Sequence, residues 1–156
     1  MRNGPPASPA DLAGMEAALR EAEREASFDE VPVGAAVVRD GAVVALAHNE
    51  TVRRRDPTAH AEILAIQRAV QALSADRLDD CTLCVTLEPC AQCAGAIVLA
   101  KVGRVVFGAY DDKAGMAGSV GDLLSDPKLN HRPEVRRGVM AERCGALLRD
   151  FFGAKR

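Results

Sequence analysis

The apolar positions of this chain change period several times, and each change marks an element. Leu12, Met15, Leu19, Ala22 and Ala26 recur at helical spacing, which predicts a first amphipathic helix with one apolar stripe. Just ahead of it, Ser8-Pro9-Ala10-Asp11 has the pattern of a capping box with proline at the first helical position. Pro32 closes that region. Val33–Val38 and Ala42–Ala47 are short and rich in strand formers, and Asp40-Gly41 between them predicts a hairpin.

Helical spacing returns from Thr58 to about Leu73, with Ile63, Ile66, Val70 and Leu73 on one stripe. Thr82–Leu87 reads as a strand, and Pro89 stops it because the residue before a proline favours extended geometry. Cys90–Ala100 reads as helix and Arg104–Ala109 as strand. Gly115, Gly118 and Gly121 mark a loop-rich stretch, Glu134–Val139 a fifth strand, and Ala141–Phe152 a closing helix. A hairpin followed by strands alternating with helices predicts an α/β protein. The expected architecture is a three-layer α-β-α sandwich around a mixed five-stranded sheet.

Composition adds that 156 residues, 48% of them hydrophobic, suffice for one domain with a real core. Residues 1–7 read as a disordered Gly/Pro-rich tail and residues 8–156 as the single domain. The opening MRNGPPASPA has no apolar core of a signal peptide, and no later apolar run approaches a membrane span. A soluble, cytoplasmic protein with no membrane partner is expected. The net charge of −2 is unevenly spread. Residues 11–30 carry seven acids against two arginines, while residues 101–156 carry eleven Lys/Arg against seven Asp/Glu. Charge alone is satisfied by a solvated acidic helix and an ordinary surface, so a basic face for RNA needs support from elsewhere.

That support has to come from the chemistry-bearing residues. Five cysteines (Cys81, Cys84, Cys90, Cys93 and Cys144) disfavour a disulfide framework and favour metal or catalysis for a close pair. A redox role for Cys90 and Cys93 stays open on that pair alone. PTAHAE (57–62) and PCAQC (89–93) each open a helix. Cys90 and Cys93, at i and i+3, project to one side, and the helix N-terminus stabilises their thiolates. His60 supplies a third ligand from a separate element. Two sulfurs and one nitrogen leave a tetrahedral position open, the pattern of a catalytic zinc.

Glu62 discriminates further. Two residues from His60, it would point about 200° away on a regular helix. Both side chains can face one site only if His60 sits in the irregular first turn, and Glu62 is then a neighbour of the metal rather than a ligand. Zn²⁺ with two thiolates and a neutral imidazole is formally neutral and acidifies its water less than an all-histidine site. A carboxylate beside that water can take its proton and hand it to a leaving group. The expected chemistry is hydrolysis, of an amino group.

H-A-E followed by P-C-x-x-C is the signature of zinc nucleobase deaminases, and the chain resembles the bacterial tRNA-specific adenosine deaminase family over nearly its whole length. The matching stretches are VPVGAAVV, HNE, RDPTAHAEI, TLCVTLEPC, CAGAI, RVVFGAYD, AGS, NHR and ALLRDFF. The resemblance implies a cytidine-deaminase-like fold, one zinc per subunit on His60, Cys90 and Cys93, and Glu62 as proton shuttle. It also implies that Asn49 contacts the purine and that Asp111 lies on a substrate-facing loop. The implied reaction is conversion of the wobble adenosine, position 34, to inosine in an ACG-anticodon arginine tRNA, whose anticodon stem-loop binds a homodimer. His48, where many relatives carry an aromatic residue, and Tyr110, in an often basic slot, depart from the pattern and bear on RNA contacts.

The remaining residues have plainer readings. Cys81 and Cys84 flank or lie in a strand, where i and i+3 face opposite ways, so they and Cys144 are expected to be small core thiols. Arg53-Arg54-Arg55 is a solvated charge run that leads into the metal-binding helix, and Phe151-Phe152 is expected to close a core. His48 is left unassigned, and His131 is a loop histidine. Two other functions share these residues: a guanine, cytosine or nucleotide deaminase, and a zinc-stabilised module without activity. Glu62 weighs against the last, because a closed structural site has no use for a water-activating acid.

Overall fold

The computed structural model describes residues 6–26 and 29–155. Residues 1–5, most of the expected tail, lie outside the described residues, while Ala7 already packs against the core. In chain order the elements are α1 (Pro9–Arg24), β1 (Gly34–Arg39), β2 (Ala42–His48), α2 (Ala61–Leu73), β3 (Thr82–Leu87), α3 (Ala91–Ala100), β4 (Arg104–Ala109), β5 (Glu134–Arg136) and α4 (Ala141–Ala154). They form a five-stranded sheet in the order β2-β1-β3-β4-β5. The pairs β1/β2 and β1/β3 are antiparallel, and β3/β4 and β4/β5 are parallel. Among the described residues, no helix is long and apolar enough to cross a membrane.

Local chemistry explains the framework. The Ser8 hydroxyl accepts from the Asp11 amide and the Asp11 carboxylate from the Ser8 amide, both at 3.1 Å, closing the capping box. Asp40 and Gly41 both take positive φ, 52° and 78°, the requirement of a tight I′-type hairpin turn. Alternation along the strands then divides the core into two layers. Val85 and Leu83 face α2 and α3 with Ala35, Val37, Val105 and Phe107. Cys84, Ala36 and Val106 face Met15, Ala18 and Leu19 of α1 and Cys144 of α4. The result is the α-β-α sandwich. Helix α1 approaches β1 so closely that a Cβ on Gly34 would run into the Ala18 carbonyl.

The boundaries move where turns intervene. Helix α2 begins at Ala61, not near Thr58, because Asp56 Oδ1 accepts from the Thr58 amide and hydroxyl at 2.9 and 2.6 Å and holds a turn there. The fifth strand stops at Arg136. Arg137 leaves the sheet to donate to the Ala117 carbonyl at 2.8 Å, and Gly138 follows with φ 72°. Phe152 does not close a core. It lies about 80° round the helix from Cys144, off the packed stripe, and remains 48% exposed.

Candidate active site

The two motif stretches meet at the starts of α2 and α3. His60 is the N-cap of α2 (φ −77°, ψ 153°) and Cys90 the N-cap of α3 (φ −77°, ψ −179°), and neither side chain makes a capping bond. The extended backbone at these caps turns His60 out of the helical rotation, so it and Glu62 reach the same place. Gln92 ties the two starts together by donating to the Thr58 carbonyl at 3.0 Å. His60 Nδ1 lies 3.6 Å from Cys90 Sγ and 3.5 Å from Cys93 Sγ, and the three ligand atoms all fall within 4.8 Å of one another.

The electrostatics follow from that crowding. The Cys90 thiol is pulled down to about 3 by the Cys93 thiol that donates to it and by His60. Cys93 is pushed far up by the same contact and by burial. The Cys90 thiolate in turn raises the His60 imidazole, against the effect of burial. Two thiols and an imidazole thus share protons in a space that suits one cation. The donor set, two soft sulfurs and one ring nitrogen, is what zinc takes. Glu62 is buried at 5% exposure, and desolvation pushes its carboxyl up to about 7, with its own backbone amide and His60 pulling the other way. It lies within hydrogen-bonding reach of Cys93.

Asn49, at the end of β2, places its Oδ1 2.9 Å from the Ala61 amide, so it caps α2 in place of His60. Among the described residues its Nδ2 has no partner in the chain. Asp111 follows β4. Its Oδ1 accepts from the Lys113 and Ala114 amides at 3.0 and 3.1 Å, shaping its own loop. Cys81, Cys84 and Cys144 are buried core thiols at 2%, 1% and 1% exposure, and Cys84 lies on the opposite sheet face from α3.

Four buried carboxylates outside the two motif stretches were hidden in the sequence. Glu50 is buried and gathers Arg54 at 3.1 Å and Arg68 at 3.0 Å, with Arg53 at 3.7 Å, so the arginine run is partly anchored. Glu30 accepts from Thr51 and from the Val52 and Arg53 amides. Glu21 meets His48 Nδ1 at 2.9 Å, while among the described residues His48 Nε2 is buried without a partner. Glu88 sits just ahead of Cys90 and binds the loop after Asp111. A charged residue flanked by apolar strand positions, as in Thr-Leu-Glu-Pro-Cys, was the available signal for Glu88, since buried charges need dedicated partners. His131 Nε2 donates to the Val102 carbonyl at 2.6 Å, a plain structural contact.

Fold and site together define a deaminase. The sequence profile of the MafB19-like deaminase family matches residues 10–156. The chain is 46% identical over 138 residues to a protein of Bacillus subtilis (strain 168) named tRNA-specific adenosine deaminase, covering 88% of this chain and 86% of that one. A solved structure from a study of A-to-I editing by tRNA:A34 deaminases at the wobble position superposes with a TM-score of 0.83 at 43% identity, covering 87% of this chain and 99% of that one. A guanine deaminase from Nitrosomonas europaea is more distant, with a TM-score of 0.74 at 26% identity over 97% of this chain and 90% of its own. The chain belongs to the tRNA-specific adenosine deaminase family, within the cytidine/deoxycytidylate deaminase superfamily.

Proposed function

We propose that this protein hydrolyses the wobble adenosine, position 34, of an ACG-anticodon arginine tRNA to inosine and releases ammonia. The observation that carries this reading is the meeting of His60, Cys90 and Cys93 with buried Glu62 in a chain of this family. Residues 8–156 form the zinc-dependent deaminase domain in this reading, and a tRNA substrate places the protein in the cytoplasm. His60, Cys90 and Cys93 would hold one zinc ion per subunit. Zinc bound there supplies the Lewis acidity that makes water a nucleophile at neutral pH.

The proton work falls to Glu62. A carboxyl held near 7 by burial can accept a proton and return it at the same pH. As water adds to C6 of the adenine, Glu62 takes one of its protons and passes it to N1. As the C6–N bond breaks and the C6 carbonyl forms, Glu62 relays the remaining hydroxyl proton to the departing amine, which leaves as ammonia. Asn49 has an amide nitrogen available for the purine, and Asp111 a second carboxylate oxygen available for a ribose hydroxyl. The family resemblance also implies a homodimer.

The experiment is deamination of an ACG anticodon hairpin, read as inosine, beside ammonia release from free guanine, cytosine and nucleotides. Inosine on the hairpin is the expected result. Activity confined to the free bases or nucleotides would replace this reading with the small-molecule one.

A further inference from the structure

Glu88 lies between the end of β3 and the Pro89-Cys90 entry to α3. It is 2% exposed, and among the described residues it has no ion-pair partner. Its carboxylate accepts four hydrogen bonds instead, all from one loop. Oε1 receives the Asp111 amide at 3.0 Å and the Ser119 hydroxyl, and Oε2 receives the Ala117 and Ser119 amides, each at 3.0 Å. Backbone bonds flank this grip. The Glu88 amide donates to the Ala109 carbonyl and the Met116 amide to the Pro89 carbonyl, both at 2.8 Å. Any Cβ on Gly115 would strike the Glu88 carboxylate, so the loop closes round the carboxylate only because a glycine stands there.

The juxtaposition is specific. One end of this glutamate is two residues from the ligand Cys90, and the other holds the backbone of Asp111. We infer that Glu88 is a positioning residue: its carboxylate fixes the loop carrying Asp111 against the Cys90 end of the metal site, so substrate engagement depends on it. The inference rests on the deaminase reading of that site. Four donors converge, and a carboxylate, being acceptor-only, satisfies them all. A glutamine of the same shape must aim its NH2 at one pair of donors. Turned toward Oε1, it lets the Ser119 hydroxyl rotate to accept but leaves the Asp111 amide facing another donor. Turned toward Oε2, it opposes two amides.

The test compares zinc-loaded wild type with Glu88→Gln and Ser119→Ala, measuring zinc per chain, and KM and kcat for inosine formation on the anticodon hairpin. Glu88→Gln is expected to keep zinc and raise KM about ten-fold, the scale of one buried amide left unpaired, with a smaller change in kcat. Ser119→Ala removes one of the four donors and keeps the three amide bonds, so it folds more safely and shifts KM the same way by less. Gly115→Ala presses on the same carboxylate, and its effect should not add to that of Glu88→Gln. A purely structural glutamate would lower the active fraction, seen as reduced kcat at unchanged KM. That pattern in both Glu88→Gln and Ser119→Ala, with an active wild type, overturns the inference. A wild type that makes no inosine overturns the deaminase reading itself.

Discussion

Asn49→Ala tests whether the start of α2 depends on a cap from another element. The N-cap side chain of α2 is His60, which makes no capping bond, and the Ala61 amide is satisfied by Asn49 Oδ1 at 2.9 Å. Ala61 is fully buried, so no water can replace the lost acceptor. An orphaned buried amide costs about 1–3 kcal/mol, and loss of an N-cap about 0.5–2 kcal/mol. These describe the same lost bond, so the expected loss is about 1–2 kcal/mol, or roughly 5–30-fold in the folded-to-unfolded ratio. Urea unfolding at fixed excess zinc measures it, because free metal shifts the equilibrium of any metal-binding fold. Hydrogen exchange at the Ala61 amide should rise in parallel. Asn49→Asp keeps an acceptor oxygen and puts negative charge at a helix N-terminus, which is favourable, so stability should return. It removes the amide nitrogen, so activity should stay low if that nitrogen touches the purine. An unchanged unfolding midpoint in Asn49→Ala would refute the capping argument.

Four further outcomes are expected. Glu62→Gln should keep zinc and hairpin binding while single-turnover deamination falls about 10²–10⁴-fold; a near wild-type rate would remove Glu62 from the proton path. Cys93→Ala should lose most of its zinc by metal analysis, and full retention would send the ligand assignment elsewhere. Burial pushes the Cys84 and Cys144 thiols up to about 12 from an ordinary 9.0. Between these values the unfolded chain gives up protons that the folded chain keeps, so stability should be intact below pH 9 and fall above it. The slope is about 1.4 kcal/mol per pH unit for each thiol. Reduced protein whose unfolding free energy stays flat from pH 9 to roughly 10.5 would contradict this. Asp111→Asn keeps an acceptor for the Lys113 and Ala114 amides but removes the charge, and is expected to raise activity on single-stranded DNA relative to RNA; an equal ratio on matched hairpins would leave Asp111 only its loop-holding role.

Much of this was legible because local rules and global packing agree. The capping box, the Asp-Gly hairpin and the stripes of α1 and α2 each need only neighbours in sequence. The same is true of the choice between the two C-x-x-C pairs. Cys81 and Cys84 sit at strand spacing, whereas Cys90 and Cys93 sit at the start of a helix, and that difference in backbone period separates core thiols from ligand candidates. What stayed hidden depends on distant partners. Glu88 and Glu50 look like surface charges in sequence, since their partners are 23–31 residues and up to 18 residues away. The Asn49 cap spans 12 residues, so its structural duty could not be separated from a substrate contact. The long loop from Asp111 to Arg132 has no period to read, and its first part is held by a carboxylate just beyond β3.

The N-caps of α2 and α3 limit how this protein could be made more heat-resistant. Helix starts are where stability is usually cheapest to gain, by placing Ser, Thr, Asp or Asn at the N-cap. In α2 and α3 those positions belong to His60 and Cys90, so the customary improvement would erase two of the three metal-ligand candidates. Among the described residues, the N-cap of helix α4 is not a metal-ligand candidate. Its N-cap, Met140, sits at φ 57° with no capping bond, in a conformation that suits Gly or Asn better than methionine. Tolerance to change is therefore lopsided: the start of α4 is open to selection for robustness, while the two helix starts at the candidate metal site are closed to it.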